Sequence, residues 1–422
     1  MSLGLIIGAP NSDAGKTTVT LALLRALRAR TRVAAFKCGP DYIDPRFHSA
    51  ASRVECYNLD PWAMADASLA EIVGYHKASD LCLTEGVMGL FDGVADGRGS
   101  TAELAARTGW PVVLVVDCKG MSGSVAPLVK GFLAYDPRVE IAGVILNRVG
   151  SAKHATRLRA ALAPLNVQVF GCLPRTESLA LPRRHLGLLQ AREMPHLERL
   201  LDHAAHTITE HVDLAALSRC AKPCTLHQSA AHQAWVPALG DRVALAEDTA
   251  FAFCYPHWRR RWSDAGITVM PFSPLANEAP DASATGVFLP GGYPELHAEA
   301  LAKADHFQRA LRLAAAKGTT VYGECGGFMA LGRRLVDAQG TAHSMAGLLA
   351  HETSFATRRL HLGYRTLTGS LPKLMAATVL AAHEFHYSEQ TAGLDAGSNA
   401  AILDADGARV DTALYAQANV VG

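Results

Sequence analysis

Two groups of residues could do chemistry, and they lie far apart in the chain. The first centres on a thiol. Cys325 stands in Val321-Tyr322-Gly323-Glu324-Cys325-Gly326-Gly327-Phe328, an apolar run that ends in a Gly-x-Cys-x-Gly turn before a helix-like stretch at 328–335. Strand, tight turn and helix lift a nucleophile above a sheet edge, and glycines on both sides let the backbone fold sharply. A cysteine attacks as thiolate, so it needs a base or a positive neighbour. The segment His383-Glu384-Phe385-His386-Tyr387-Ser388 offers the histidines. Backbone N–H groups at Gly292, in Pro290-Gly291-Gly292-Tyr293, and at Gly326 could bind an oxyanion. A buried core thiol is the commoner fate of cysteine. The flanking glycines and the downstream histidines set Cys325 apart from that fate.

The second group handles phosphate. Gly8-Ala9-Pro10-Asn11-Ser12-Asp13-Ala14-Gly15-Lys16-Thr17-Thr18 follows an apolar run and precedes a helical pattern. In such a loop the backbone from Asp13 and Ala14 through Gly15 to Thr18 cradles phosphate oxygens, Lys16 neutralises them, and the Thr17 hydroxyl can ligate magnesium. The strict pattern places glycine five residues before Gly15. Pro10 occupies that place and Gly8 is the nearest upstream glycine, so the loop is a longer variant. A magnesium–ATP site also needs carboxylates. Lys37-Cys38-Gly39-Pro40-Asp41-Tyr42-Ile43-Asp44-Pro45 and Thr84-Glu85-Gly86-Val87-Met88-Gly89-Leu90-Phe91-Asp92-Gly93 supply them after two further apolar runs. Asp41 and Glu85 are assigned to the metal, whose hard character suits carboxylate oxygens. Turn formation beside proline is the plainer reading of Asp41 and Asp44. Asn147, after another apolar run, could read adenine through its amide or cap the following helix.

These residues need a scaffold. Apolar runs at 3–7, 32–36, 80–84, 111–116, 141–146 and 168–173 alternate with helical patterns. After the loop, Val19, Ala22, Leu23, Ala26 and Leu27 share one helical face. Non-alternating apolar strands between helices imply a mostly parallel sheet covered on both faces. In an open parallel sheet the turns gather at the carboxyl edge, where ligands bind. The pattern decays over 202–240, which reads as a linker between a first domain at 1–201 and a second at 241–422. Strands are expected in the second at 242–246, 268–272, 286–289 and 319–323, with one helix over 298–317 closed by Gly318.

Bulk composition narrows the class. A chain of 422 residues is too long for one ordinary core. Forty basic and thirty-nine acidic residues give a formal charge of +1, which argues against nucleic acid as a partner. No apolar run approaches the roughly 20 residues of a membrane span, and Leu3-Gly4-Leu5-Ile6-Ile7 reads as a first strand rather than a signal peptide. Nine scattered cysteines suit a reducing cytoplasm. Cys220 and Cys224 lack the second pair that a structural zinc site requires.

Taken together, the motifs resemble a known family. Pro290-Gly291-Gly292-Tyr293-Pro294-Glu295, Gly323-Glu324-Cys325-Gly326-Gly327 and the histidine segment are similar to the glutaminase domain of the corrinoid a,c-diamide synthases. Gly39-Pro40-Asp41-Tyr42-Ile43-Asp44-Pro45 and Glu85 to Gly93 resemble their synthetase domain, itself related to dethiobiotin synthetase. The cobyric acid synthases share the architecture but carry a Gln-Asn-Met-type segment where this chain has Asp41-Tyr42-Ile43-Asp44.

The resemblance implies a P-loop parallel-sheet domain followed by a class I glutamine amidotransferase-like α/β domain. It implies Cys325 as nucleophile and His386, rather than His383, as its activator. The family's usual third member is a glutamate two residues after the histidine. Ser388 holds that place here, so the orienter of His386 is left open, and Glu384 stands close in sequence. It implies Lys16, Thr17, Asp41 and Glu85 at phosphate and magnesium, and Tyr42, Asp44 and Asp92 around the substrate carboxylate.

The expected reaction phosphorylates a carboxylate with ATP and amidates it with ammonia freed from L-glutamine at Cys325. Hydrogenobyrinic acid, cobyrinic acid or a nickel tetrapyrrole is the acceptor, Mg2+ the cofactor and a homodimer the assembly. Two other classes are weighed. A partitioning ATPase carries an extra loop lysine where this chain has Asn11, and a small-acid ligase has no use for an intact Gly-x-Cys-x-Gly turn.

Overall fold

A computed structural model describes residues 3–176, 183–184, 187–227, 236–369, 379–393, 400–410, 412 and 414–422. The chain divides into two compact units, Met1–Ala234 and Trp235–Gly422. Unit 1 runs β1 (Leu3–Gly8), α1 (Lys16–Leu27), β2 (Val33–Cys38), α2 (Asp44–Ser52), β3 (Tyr57–Leu59), α3 (Asp66–Gly74), β4 (Leu81–Glu85), α4 (Thr101–Thr108), β5 (Val112–Asp117), α5 (Val125–Tyr135), β6 (Ile141–Val149), α6 (Ala152–Leu162) and β7 (Val169–Pro174). A short hairpin, β8 (Arg183–Arg184) and β9 (Gly187–Leu188), then α7 (Leu197–His211), α8 (Leu214–Arg219) and β10 (Lys222–Pro223) complete it.

The main sheet of unit 1 has the order β3-β2-β4-β1-β5-β6-β7, and every pair along that path is parallel. Every residue of β2 and β4 is buried, as strands covered on both faces must be. The strand order reverses around β1, so the loops after β1, β2 and β4 meet at one carboxyl edge. One core joins Phe36, Leu114 and Trp110 with helix residues such as Leu104 and Val129.

The expected linker is a correction. Residue 202 lies inside α7, whose Leu197, Leu201, Ala204 and Ile208 form a buried stripe packed on α1. Histidines and acids on the solvent face hide the helix period. The chain then caps α8 with Asp213 and pairs β10 antiparallel with β1, so the ordered fold of unit 1 continues past 220. Residues 228–235 of the expected linker lie outside the described residues.

Unit 2 runs β11 (Arg242–Ala246), α9 (Pro256–Asp264), β12 (Thr268–Phe272), β13 (Gly286–Leu289), α10 (Ala298–Lys303), α11 (Asp305–Ala316), β14 (Thr320–Gly323) and α12 (Gly326–Leu331). Short strands follow: β15 (Arg334–Val336), β16 (Ala342–Ser344), β17 (Glu352–Ser354), β18 (His361–Thr368), β19 (Val379–His386), β20 (Glu389–Ala392), β21 (Ala401–Asp404), β22 (Ala416–Gln417) and β23 (Val420–Val421). The main sheet has the order β12-β11-β13-β14-β23-β22, parallel except at β22. Two small sheets, β16-β15-β17-β20 and β19-β18-β21, lie off it.

The single helix expected over 298–317 is two helices. Ala304 breaks it at φ −79° and ψ 63°, and Asp305 starts the second with an acid in its first turn. The helix-like stretch 328–335 also shifts. The helix begins at Gly326, directly after the cysteine, and ends before Gly332, and Leu335 belongs to β15.

Candidate functional sites

In unit 1 the loop between β1 and α1 turns on two left-handed residues, Asp13 at φ 65° and Gly15 at φ 93°. Such turns aim successive N–H groups at one point, which suits an anion. Only glycine fits at 15, because a Cβ there would stand 2.3 Å from the Asn147 side-chain nitrogen. Lys16 opens α1 and bends back, donating to the carbonyls of Met88 and Asn11. Burial lowers its pKa from the ordinary lysine value, partly countered by Glu85. Thr18 is half-buried in the same first turn.

Beside the loop lies a dense charge cluster. The Thr17 hydroxyl donates to Glu85 Oε1 at 2.6 Å, and Lys37 Nζ donates to the same oxygen at 3.1 Å. Lys37 also donates to Asp44 Oδ2 at 2.8 Å and stands 3.7 Å from Asp41 Oδ2. The other Glu85 oxygen meets His48 Nε2 at 2.6 Å, with both side chains buried. Burial opposes the Lys37 charge, but Asp44, Glu85 and Asp41 more than reverse it and hold the ammonium well above the usual range. Burial likewise opposes the Glu85 carboxylate, and Lys37 and His48 overcome it, leaving Glu85 well below the usual range. Asp44 goes the other way: burial and the neighbouring Asp41 push it up to about 6 despite Lys37.

The structure therefore brings Thr17, Asp41, Asp44 and Glu85 around one ammonium. Thr17 and Glu85 offer adjacent hard oxygens. Asp41 presents Oδ2 to Lys37 because its Oδ1 accepts from the N–H groups of Ile43 and Asp44. That donor set fits magnesium in kind. Tyr42 is half-buried between these acids. Asp92 does not join them by hydrogen bond; its Oδ2 accepts from Gly89 N–H at 2.8 Å and fastens the turn after β4.

Asn147 departs from the capping expectation. β6 continues to Val149, so Asn147 lies within the strand rather than beyond it, and Ser151 caps α6 instead. Its amide nitrogen donates to the Ala14 carbonyl at 2.9 Å, and its oxygen accepts from Arg148 N–H. In this arrangement Asn147 ties the phosphate loop to the sheet.

In unit 2, Cys325 sits between β14 and α12 at φ 51° and ψ −110°, a strained setting for a residue with a Cβ. The turn is pressed against the end of β13. A Cβ on Gly327 would come within 1.8 Å of the Leu289 carbonyl oxygen, so only glycine permits that approach. Burial pushes the thiol up to about 11. The backbone N–H groups of Gly292 and Gly326 bond toward the sulfur and pull the other way, while Glu295 and Glu324 raise it further. The sulfur-bearing residue keeps partial exposure. Glu324, beside it, accepts the Tyr322 hydroxyl at 2.9 Å, and burial pushes it up to about 7.

The expected activator is placed elsewhere. His386 ends β19, on one of the small sheets. Its Nε2 lies 2.9 Å from Glu384 Oε1 and its Nδ1 lies 3.0 Å from the Ser388 carbonyl oxygen. Among the described residues no imidazole is hydrogen-bonded to Cys325. Glu384 is itself held: Arg365 grips Oε2 at 2.9 and 2.6 Å, and Thr412 donates to Oε1 at 3.0 Å. Burial raises Glu384, but His386 and Arg365 more than offset this and keep it well below the usual carboxylate range. Closeness in sequence had left Glu384 unassigned. On a strand, residues two apart share a face, so that closeness is what joins the pair.

Lys37, His48 and Arg365 are the members that the sequence did not single out. Lys37 carried a faint signal as a lysine ending an otherwise apolar strand. His48 follows Asp44 by four residues in α2 and so shares its helical face.

Comparisons with known proteins agree with this layout. Residues 5–189 match the model of the CobQ/CobB/MinD/ParA nucleotide binding domain, and residues 263–422 match that of the CobB/CobQ-like glutamine amidotransferase domain. The chain is 53% identical over 390 residues to the hydrogenobyrinate a,c-diamide synthase of Brucella suis biovar 1, covering 91% of this chain and 89% of that one. It is 50% identical over 426 residues to the enzyme of that name from Rhodobacter capsulatus, and 48% identical over 421 residues to that from Rhizobium meliloti. Each of these two comparisons covers 99% of this chain and 97% of the relative.

Proposed function

The chain belongs to the hydrogenobyrinate a,c-diamide synthase family, and from that premise we propose that it converts the a and c carboxylates of hydrogenobyrinic acid to amides, using ATP and glutamine. One observation carries the reading. A cysteine whose sulfur faces two backbone N–H groups is joined in a single chain to a phosphate loop beside a lysine–carboxylate cluster.

A carboxylate resists ammonia because its oxygen is a poor leaving group. Transfer of the ATP γ-phosphoryl group to the substrate carboxylate gives an acyl phosphate. Lys16 and the loop amides bind the phosphates and stabilise the charge that moves during transfer. Thr17, Asp41 and Glu85 would hold magnesium, which neutralises phosphate charge when bound. Lys37 keeps the acids of this edge paired, and Asp44, Tyr42 and Asp92 line the approach of the carboxylate.

Nitrogen comes from unit 2. Cys325 Sγ attacks the glutamine side-chain carbonyl, and the N–H groups of Gly292 and Gly326 hold the oxyanion. His386, oriented by Glu384, passes a proton to the departing nitrogen. Ammonia leaves and water hydrolyses the glutamyl thioester. Ammonia then attacks the acyl phosphate, inorganic phosphate departs, and the cycle repeats at the second carboxylate.

The test is incubation with ATP, magnesium, glutamine and hydrogenobyrinic or cobyrinic acid, read by mass for two acid-to-amide conversions. Cys325→Ala should lose at least about 10³-fold of the glutamine-dependent rate and keep the rate with concentrated ammonium. Glu85→Ala should lose both. Intact glutamine-dependent turnover in Cys325→Ala would remove the thiol from the mechanism.

A further inference from the structure

We propose that His361, Glu384 and His386 form a site for a zinc-class divalent cation, and that filling it silences the glutamine-dependent half of the reaction. β18 and β19 pair antiparallel with His361 directly opposite His386 and Gly363 opposite Glu384. The missing side chain at 363 leaves room for the Arg365 guanidinium, which grips that carboxylate. One donor atom from each of the three side chains lies within 4.8 Å of the other two. The two imidazole rings stack nearly parallel, 4.6 Å between centroids at 12°.

A second observation points to a ligand. His361 Nε2 is enclosed and has no hydrogen-bond partner among the described residues. On the other ring, Nδ1 faces the Ser388 carbonyl, which only accepts, so Nδ1 carries hydrogen. Its Nε2 then turns toward Glu384, another acceptor. A second proton on the ring satisfies that geometry, and so does a cation shared by both rings and the carboxylate. Arg365 and Thr412 already fix the carboxylate, the kind of outer support that metal-ligating carboxylates receive.

Two imidazoles and one carboxylate select zinc over magnesium, and three protein ligands leave a fourth position open. Bonds of about 2.0–2.1 Å require the half-buried His361 ring to swing inward from its present stack. The consequence rests on the proposed function: the ion replaces the Glu384 contact at His386 Nε2 and pins the ring, which then cannot carry a proton for Cys325. All three ligands belong to unit 2, so activity with ammonia survives.

The full-length chain is titrated with Co2+ as a spectroscopic probe and with Zn2+ during assays. One Co2+ per chain should bind with visible bands and no thiolate charge-transfer band, and His361→Ala should weaken it by about tenfold or more. Zn2+ should depress the glutamine-dependent rate by about tenfold while the ammonia-dependent rate holds, and His361→Ala should run at its zinc-free rate throughout. A thiolate band, unchanged binding in His361→Ala, or equal inhibition with both nitrogen donors overturns the proposal. A chain with no glutamine-dependent turnover at all would overturn the proposed function instead, and the Co2+ titration would then decide the metal site alone.

Discussion

The two candidate centres are finished to different degrees. Around Lys37 three carboxylates share one ammonium, with Asp44, Glu85 and Asp41 all within 3.7 Å of it. Around Cys325 the N–H groups of Gly292 and Gly326 face the sulfur, while the proposed proton carrier ends a strand of a small sheet, bound to Glu384. The contrast follows from where the residues grow. Loops after β1, β2 and β4 share one sheet edge, and the strand order alone brings them together. Cys325 follows β14 of the main sheet and His386 ends β19 of a small one, so strand order alone does not pair them.

That contrast can be broken by experiment. If Lys37 is the shared counter-charge of the unit 1 cluster, Lys37→Met leaves buried carboxylates unpaired and should cost about 3–5 kcal/mol of stability. Urea denaturation without any ligand measures this, and an unchanged midpoint would mean that the cluster is not paired in solution. In unit 2 the sensitive quantity is rate. Glu384→Gln removes the charge that orients His386 and should lower glutamine-dependent turnover about 10²-fold while sparing the ammonia-dependent rate. Equal loss of both rates would make Glu384 a structural residue.

The smallest effect concerns pH. Burial raises Glu324 from 4.5 to about 7, so the folded state holds this proton more tightly than the unfolded chain. Its contribution to stability is complete below pH 4.5 and fades as pH rises through 7. Glu324→Gln cannot lose a proton, so the difference in melting temperature between variant and parent should grow in the variant's favour from pH 5 to pH 8. A difference independent of pH would place Glu324 in solvent.

Much of this was legible before any coordinates. The Gly15-Lys16-Thr17 and Gly323-x-Cys325-x-Gly327 turns are local, and local backbone chemistry is written in consecutive residues. The acids Asp41 and Glu85 were legible because each follows an apolar strand. Lys37 and His48 were not, since their partners come from strands and helices distant in sequence. The linker failed for a different reason: α7 has only four strongly buried positions, and its histidine-rich outer face masked the period. The small sheets failed because strands such as Glu352–Ser354 and Glu389–Ala392 are short and polar, without clean alternation.

The left-handed backbone at Cys325 has an evolutionary side. That conformation costs about 1–3 kcal/mol for a side-chain-bearing residue and almost nothing for glycine, so Cys325→Gly would relieve tension in the turn. Thermal robustness and usefulness pull in opposite directions at this one position. A lineage supplied with abundant free ammonium would be under no pressure to bear that penalty, and this codon is where its drift should first become visible.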